Sequence, residues 1–134
     1  MSARRLRIAF GPLAVLAAVG VVACGEQGIS VSEKDPEQIQ RGAVIFNERC
    51  AGCHTLSYAG TEGSAIKPND KEYKDGPNFD QRKEDKESVL FAIENGGFSS
   101  GPMPQDIAVG QDAQDIAAFL AEYSGRKAPK TVTP

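Results

Sequence analysis

The chain of 134 residues has no tryptophan, a single histidine, two methionines and three cysteines. Each scarcity narrows the chemistry. With one histidine, any site that needs a second imidazole as acid or base is excluded, and any imidazole ligand must be His54. A structural zinc site needs four ligands, and Cys50, Cys53 and His54 supply three, since Cys24 lies in a very different segment. No basic run follows the first seven residues, and 18 acidic residues outnumber 15 basic ones, which argues against nucleic-acid binding. Long apolar runs are also missing. The apolar stretch from Ile8 to Ala23, which carries no charge, falls short of the ~20 residues that cross a bilayer. With 25% charged and 40% apolar residues, the chain reads as one small soluble globular domain with appendages, not a multi-span membrane protein.

What is present is concentrated in Cys50-Ala51-Gly52-Cys53-His54. The spacing C-x-x-C-H is that of covalent c-type haem attachment. Two thiols three positions apart reach the two vinyl groups of one porphyrin and form two thioethers. The adjacent histidine then lies under the iron. Two other readings of the cysteines stand beside this one. A dithiol redox switch needs a strand-helix-strand setting, and no run of β-branched residues precedes Cys50. A disulfide between Cys50 and Cys53 leaves the adjoining histidine unexplained.

The iron's other face has one methionine to draw on if Met1 is lost with a leader. Met103 sits in Gly101-Pro102-Met103-Pro104, where flanking prolines restrict the backbone and hold the side chain in one direction. A thioether is a soft ligand that favours reduced iron, so histidine and methionine together raise the potential. The alternative is that Met103 is an ordinary loop residue and the iron stays five-coordinate or binds something else.

The N-terminus reads as a separate unit. Arg4, Arg5 and Arg7 precede the short apolar stretch, as in a secretory signal. Val21-Val22-Ala23-Cys24 resembles a bacterial lipoprotein box, in which the cysteine is lipidated and becomes the first residue of the mature chain. An uncleaved anchor or a plain signal peptide are the alternatives. Leu6-Arg7-Ile8 is a poor match to twin-arginine export, so the general secretory route is expected. Loss of residues 1–23 takes three arginines from the 15 basic residues and leaves 12 against 18 acidic ones, a net charge of −6. A partner surface is then expected to be neutral or basic, with association that weakens in salt.

Residues 24–35 read as a lipidated N-terminus and linker, with Gly25 to Lys34 as the linker proper. A first helix is expected from Asp35 as N-cap, Pro36 as first helical residue and Gln38 as capping-box partner. Its apolar face is Ile39, Ala43 and Phe46, with Gly42 on the same side to admit another helix. Thr55 to Gly76 reads as a long loop with at most one helical turn. A second helix is expected over Asp85 to Asn95, with Val89, Leu90 and Ile93 inward and Gly96-Gly97 as its stop. A last helix is expected over Gln111 to Ser124, with Ile116, Phe119, Leu120 and Tyr123 on one face. Residues 126–134 read as a disordered tail.

The order of these features resembles the class I c-type cytochromes, and in particular small bacterial monohaem members. The resemblance rests on the capped helix, Cys50 to His54, Gly76-Pro77-Asn78-Phe79, Asn95-Gly96, Pro102-Met103-Pro104 and the terminal Asp115-Ile116-Ala117-Ala118-Phe119-Leu120. It spans residues 36–125, the expected haem domain. It implies an all-α, cytochrome c-like fold of about three main helices around one covalently bound haem c. It implies thioethers to Cys50 and Cys53, axial ligation by His54 and Met103, and a hydrogen bond from His54 to the Pro77 carbonyl. It implies that Gly42 and Phe46 pack on Phe119 where the first and last helices cross. Two departures stand out: a longer stretch between His54 and Gly76, and Asp80-Gln81-Arg82 in place of a glycine turn. Arg82 is a candidate partner for a haem propionate. Phe46, Leu56, Phe79, Leu90, Ile93 and Phe119 are expected to line the haem.

The expected role is single-electron transfer, not enzymatic turnover. Its partners would be a cytochrome bc-type complex, a dehydrogenase or a terminal oxidase. The protein would be exported and lipid-anchored at the outer face of the cytoplasmic membrane or on its periplasmic side. A permanently bound subunit of a membrane dehydrogenase or oxidase is the second reading. A haem enzyme such as a peroxidase is the third, and it lacks a second histidine.

Overall fold

Helix α1 (Glu37–Cys50) and helix α3 (Gln111–Tyr123) cross at Gly42. A Cβ at this glycine would stand 2.1 Å from the Asp115 carbonyl oxygen and 2.8 Å from Phe119 Cβ. Only the absence of a side chain lets the two backbones approach so closely. Phe46, one turn on, meets Phe119 edge to face at 5.9 Å between ring centroids. Ala43, Phe46, Ile116, Ala117, Phe119 and Leu120 make the heart of the core. The crossing, the Gly42 contact and the Phe46–Phe119 pair are those that the resemblance to class I c-type cytochromes implies.

The computed structural model describes residues 28–65, 67–99 and 101–129. Between α1 and α3 lie a two-stranded antiparallel sheet, β1 (Thr55–Leu56) with β2 (Thr61–Glu62), a 3-10 turn at Pro68–Asp70, and helix α2 (Lys86–Asn95). The architecture is mostly helical, with three main helices as expected. No helix among the described residues is long and apolar enough to cross a membrane. Residues 1–27, Cys24 included, and 130–134 lie outside the described residues.

Helix α2 starts and stops where its sequence says. The Asp85 carboxylate accepts a hydrogen bond from Ser88 N at 2.9 Å, and Gly96 closes the helix in the left-handed region at φ 73°. The start of α1 differs. Pro36 occupies the cap position with extended backbone and no side-chain cap. The Asp35 carboxylate is engaged elsewhere, accepting from Ser32 N at 3.1 Å and from the Tyr123 hydroxyl. Gln38 reaches across to the Gln114 carbonyl at 3.5 Å and does not form a capping box.

Three stretches expected to be irregular are ordered. Ile29 forms an isolated bridge with Ala59, and Ser30 N donates to the Tyr58 carbonyl at 2.8 Å. The stretch 28–35 is therefore docked on the body, not a free linker. At the other end Arg126 lies over the Tyr123 ring at 4.6 Å and the Tyr58 ring at 5.4 Å. Ala128 N donates to Ser57 Oγ at 2.7 Å, so the packed body continues past residue 125. The third stretch is the β1–β2 hairpin. Its two-residue strands are too short to show a period, and buried hydroxyls replace part of the ladder. Thr61 Oγ1 accepts from Leu56 N at 2.9 Å, while Thr55 and Ser64 exchange N–H to hydroxyl bonds at 3.0 and 2.9 Å.

One ion pair is set into the α1–α3 crossing. Arg41 holds Asp115 through Nη2 at 2.8 Å and Nε at 2.9 Å, and the Asp115 side chain is only 1% exposed. Burial pulls this carboxyl upward, but hydrogen bonds from Gln111 and Arg41, the Arg41 charge and Gln38 outweigh it. Its pKa therefore lies below the ordinary value.

Candidate haem-binding site

The last turn of α1 delivers the cysteine pair. Cys53 N and His54 N both donate to the Cys50 carbonyl, at 3.1 and 3.0 Å, so the helix tightens into a single turn before β1. That turn carries Cys50, Cys53 and His54 to the wall of one cleft. Segment 76–79 runs beside them. Gly76 N donates to the Cys53 carbonyl at 2.7 Å, Phe79 N to the Thr55 carbonyl at 2.8 Å, and Thr55 and Asn78 form a parallel bridge.

This pairing fixes the imidazole. His54 Nδ1 lies 3.1 Å from the Pro77 carbonyl oxygen. A carbonyl only accepts, so Nδ1 carries the proton and Nε2 keeps its lone pair for a metal. Phe79 stacks on the ring at 4.8 Å and 13°. On the Gly76 side there is no room for a side chain: a Cβ there would stand 2.4 Å from His54 Cε1. Burial lowers the His54 pKa, against the opposing effect of the Pro77 carbonyl, and so favours the neutral imidazole that binds metals.

Cys50 and Cys53 form no disulfide with each other and are half-buried. Burial pushes the Cys50 thiol up to about 12, with the Arg49 charge opposing and Cys53 reinforcing. A redox-active dithiol needs the opposite, a depressed pKa in an electropositive setting. No strand precedes Cys50 among the described residues beyond the isolated bridge at Ile29. The strand-helix-strand setting of a dithiol switch is thus not found among the described residues.

Met103 lines the same cleft, brought there by the loop after α2. Gly96 and Gly97, at φ 73° and 90°, turn the chain back. Gly97 N then donates to the Ala92 carbonyl at 2.7 Å and Asp106 N to the Ile93 carbonyl at 2.9 Å, pinning the loop at both ends. A Cβ at Gly96 would stand 2.8 Å from the Met103 carbonyl oxygen. The glycine pair thus does two jobs, ending the helix and seating the methionine's backbone.

Of the six residues expected to line the haem, Phe46, Phe79 and Ile93 line this cleft and Leu56, Leu90 and Phe119 do not. Leu56 and Phe119 are fully buried in the core, Phe119 directly behind Phe46, and Leu90 is half-buried on the flank of α2. Val89, Ile116 and Leu120 take their places. The signal for the last two was in the sequence, as an i, i+4 pair on the inward stripe of α3. Arg82 reaches the cleft wall, where it pairs with buried Glu84 at 2.5 Å.

The donor set fits a haem of the c type. It comprises two thiols three positions apart, a neutral imidazole with a free lone pair, a thioether and apolar walls. The fold and site define a c-type haem protein, and the comparisons narrow the class. Residues 39–124 match the cytochrome c family. The chain is 30% identical to cytochrome c-551 of Bacillus subtilis (strain 168) over 117 residues, covering 87% of this chain and 92% of that protein. Among solved structures it is similar to the c-type cytochrome SorU from Sinorhizobium meliloti, with TM-score 0.51 and 30% identity, covering 71% of this chain and 100% of the other. The chain belongs to the cytochrome c family, as a class I c-type cytochrome. It is a haem electron-transfer protein with one covalently attached haem c.

Proposed function

We propose that the protein carries single electrons between membrane-associated respiratory redox partners and catalyses no reaction of its own. One observation carries this reading most: His54 and Met103, distant in sequence, line one cleft, and each is held by its own backbone contacts. When bound, haem c supplies an iron that cycles between ferric and ferrous states. The chain supplies the rest. Cys50 and Cys53 would hold the porphyrin through thioethers. His54 Nε2 and Met103 Sδ would ligate the iron, and a fully ligated iron would offer no position to a substrate. The Pro77 carbonyl orients the imidazole and raises its basicity. Phe46, Phe79, Val89, Ile93, Ile116 and Leu120 exclude water, which favours a site that changes charge with little rearrangement.

Cys24 is the proposed lipid attachment point, after removal of residues 1–23, which places the protein on the outer face of the cytoplasmic membrane or its periplasmic side. Partners of matching position are a cytochrome bc-type complex, a dehydrogenase or a terminal oxidase. Purification from detergent-solubilised membranes tests the role. Migration as a single small haem species is expected. Stable comigration with a dehydrogenase or oxidase would make it a fixed subunit instead. Mass spectrometry of the mature N-terminus tests the anchor: a diacylated Cys24 is expected, and an intact Met1 contradicts it.

A further inference from the structure

The lip of the cleft formed by α2 carries an aromatic pair with no core role. Phe91 is 48% and Phe98 63% exposed. They stack at 5.1 Å with 25° between ring planes. Single exposed apolar residues are ordinary, but this pair is continuous with the site, because Phe98 itself lines the cleft beside Pro102 and Met103. Two hydrogen bonds hold its position: Gly97 N donates to the Ala92 carbonyl at 2.7 Å, and the Asn95 side-chain Nδ2 donates to the Phe91 carbonyl at 2.9 Å.

The charged residues that share a helical stripe with Phe91 have one sign. Glu87, Phe91 and Glu94 follow at i, i+4 and i+7 along the solvent stripe of α2, and both glutamates are exposed. Neither has an ion-pair partner among the described residues. The basic side chains that line the cleft are all engaged: Arg49 by Asp112 at 2.9 Å, Lys74 by Glu72 at 3.4 Å and Arg82 by Glu84 at 2.5 Å. Exposed Lys86 lies about 100° round the helix from Glu87. The uncompensated charge on the Glu87–Phe91–Glu94 stripe is therefore negative and flanks an aromatic centre. That is the anatomy of a small transient interface, an apolar core within a charged rim.

We propose that Phe91 and Phe98, flanked by Glu87 and Glu94, form the docking surface for a redox protein that presents lysines or arginines around an apolar contact. This rests on the electron-carrier reading and adds the partner's chemistry and the face it meets. Aromatic contact gives the complex its geometry, the glutamates steer the encounter, and Phe98 joins the contact to the wall of the cleft that holds Met103.

Stopped-flow oxidation of the reduced holoprotein tests it with two probes. A lysine-rich mitochondrial-type cytochrome c serves as the protein acceptor, and hexacyanoferrate(III) as an acceptor too small to need a docking face. Phe91→Ser is expected to lower the second-order rate constant with the protein acceptor about ten-fold at low ionic strength. The Glu87→Gln/Glu94→Gln double variant is expected to lower it about five-fold and to flatten its salt dependence. Phe91→Ser should match the wild type with hexacyanoferrate(III), and the double variant, which repels that trianion less, should be as fast or faster. Rates with the protein acceptor that stay within about two-fold of wild type in both variants would overturn the docking surface. So would faster wild-type exchange with an acidic flavodoxin than with the basic probe. Failure of the wild type to reduce hexacyanoferrate(III) at all would instead strike the electron-carrier reading beneath it.

Discussion

His54 donates from Nδ1 to the Pro77 carbonyl oxygen at 3.1 Å, and Gly76, the residue before that proline, leaves just enough room for the imidazole beside it. Ligand orientation is thus set by two backbone features of one short segment. Gly76→Ala is expected to displace the ring, since its Cβ would stand 2.4 Å from Cε1 and 2.6 Å from Nδ1. Losing the Nδ1 hydrogen bond makes the imidazole less basic and a poorer donor to ferric iron. The potential should rise, by about 40 mV if the bond contributes ~1 kcal/mol to the one-electron couple. Protein-film voltammetry of the holoprotein measures this. An unchanged potential would mean that Pro77 does not tune the iron.

Met103→Ala removes the thioether and should lower the potential, because methionine favours the ferrous state. The vacated position should then take up added imidazole, followed by optical titration. A variant that keeps the wild-type potential and refuses imidazole would show that Met103 is not a ligand.

The α1–α3 crossing depends on the missing side chain at Gly42. Alanine has the better helix propensity by ~1 kcal/mol, yet its Cβ would stand 2.1 Å from the Asp115 carbonyl oxygen, a backbone atom. Overpacking should dominate, with a net loss of about 2–3 kcal/mol in urea unfolding at unchanged m-value. Gly52→Ala is the control, since a Cβ there meets nothing within 4 Å. Equal midpoints for the two variants would contradict the close crossing.

Acid stability should track Asp115. Its pKa is lower folded than its ordinary value of 3.8. Its contribution is therefore present above that value and lost as pH falls through the lower folded pKa. Asp85, whose carboxyl is held down by the Ser88 hydrogen bonds, acts in the same window and sense. Urea midpoints between about pH 5 and pH 2 should fall more steeply for the wild type than for Asp115→Asn, which starts lower at neutral pH. Parallel curves would place the acid-sensitive group elsewhere.

Tyr123 ties the N-terminal strap down, its hydroxyl accepting from Ser32 N at 3.1 Å and donating to Asp35. Tyr123→Phe should cost about 1 kcal/mol and speed amide exchange at Ser30 and Ser32. Unchanged exchange would leave the strap to the Ile29–Ala59 bridge alone.

The helices and the haem attachment segment were legible because their signals are local. Periodic apolar residues mark α2 and α3, Gly96 ends α2, and Cys50 to His54 carry their chemistry in their spacing. Asp35 shows where local signals mislead: it has the right residue type for a cap, but Tyr123, far away in sequence, takes its carboxylate. The strap and the β1–β2 hairpin were illegible for a related reason. The strap is ordered by long-range hydrogen bonds to Tyr58 and Tyr123, and the hairpin by backbone-to-hydroxyl bonds among Thr55, Leu56, Thr61 and Ser64, neither of which leaves a periodic pattern in its segment. Leu56 and Phe119 read as haem-lining because they are apolar and near the site. Which apolar residue faces a cleft and which backs it is decided by packing, as Phe119 behind Phe46 shows.

The most direct measurement is the absorption spectrum of the ferric holoprotein, taken before and after acid-acetone extraction. Haem should stay with the protein through the extraction, and the ferric form should show the far-red iron–sulfur charge-transfer band of methionine ligation, lost in Met103→Ala. Haem that leaves with the solvent, or a high-spin ferric spectrum without that band, would contradict a covalent haem held between His54 and Met103.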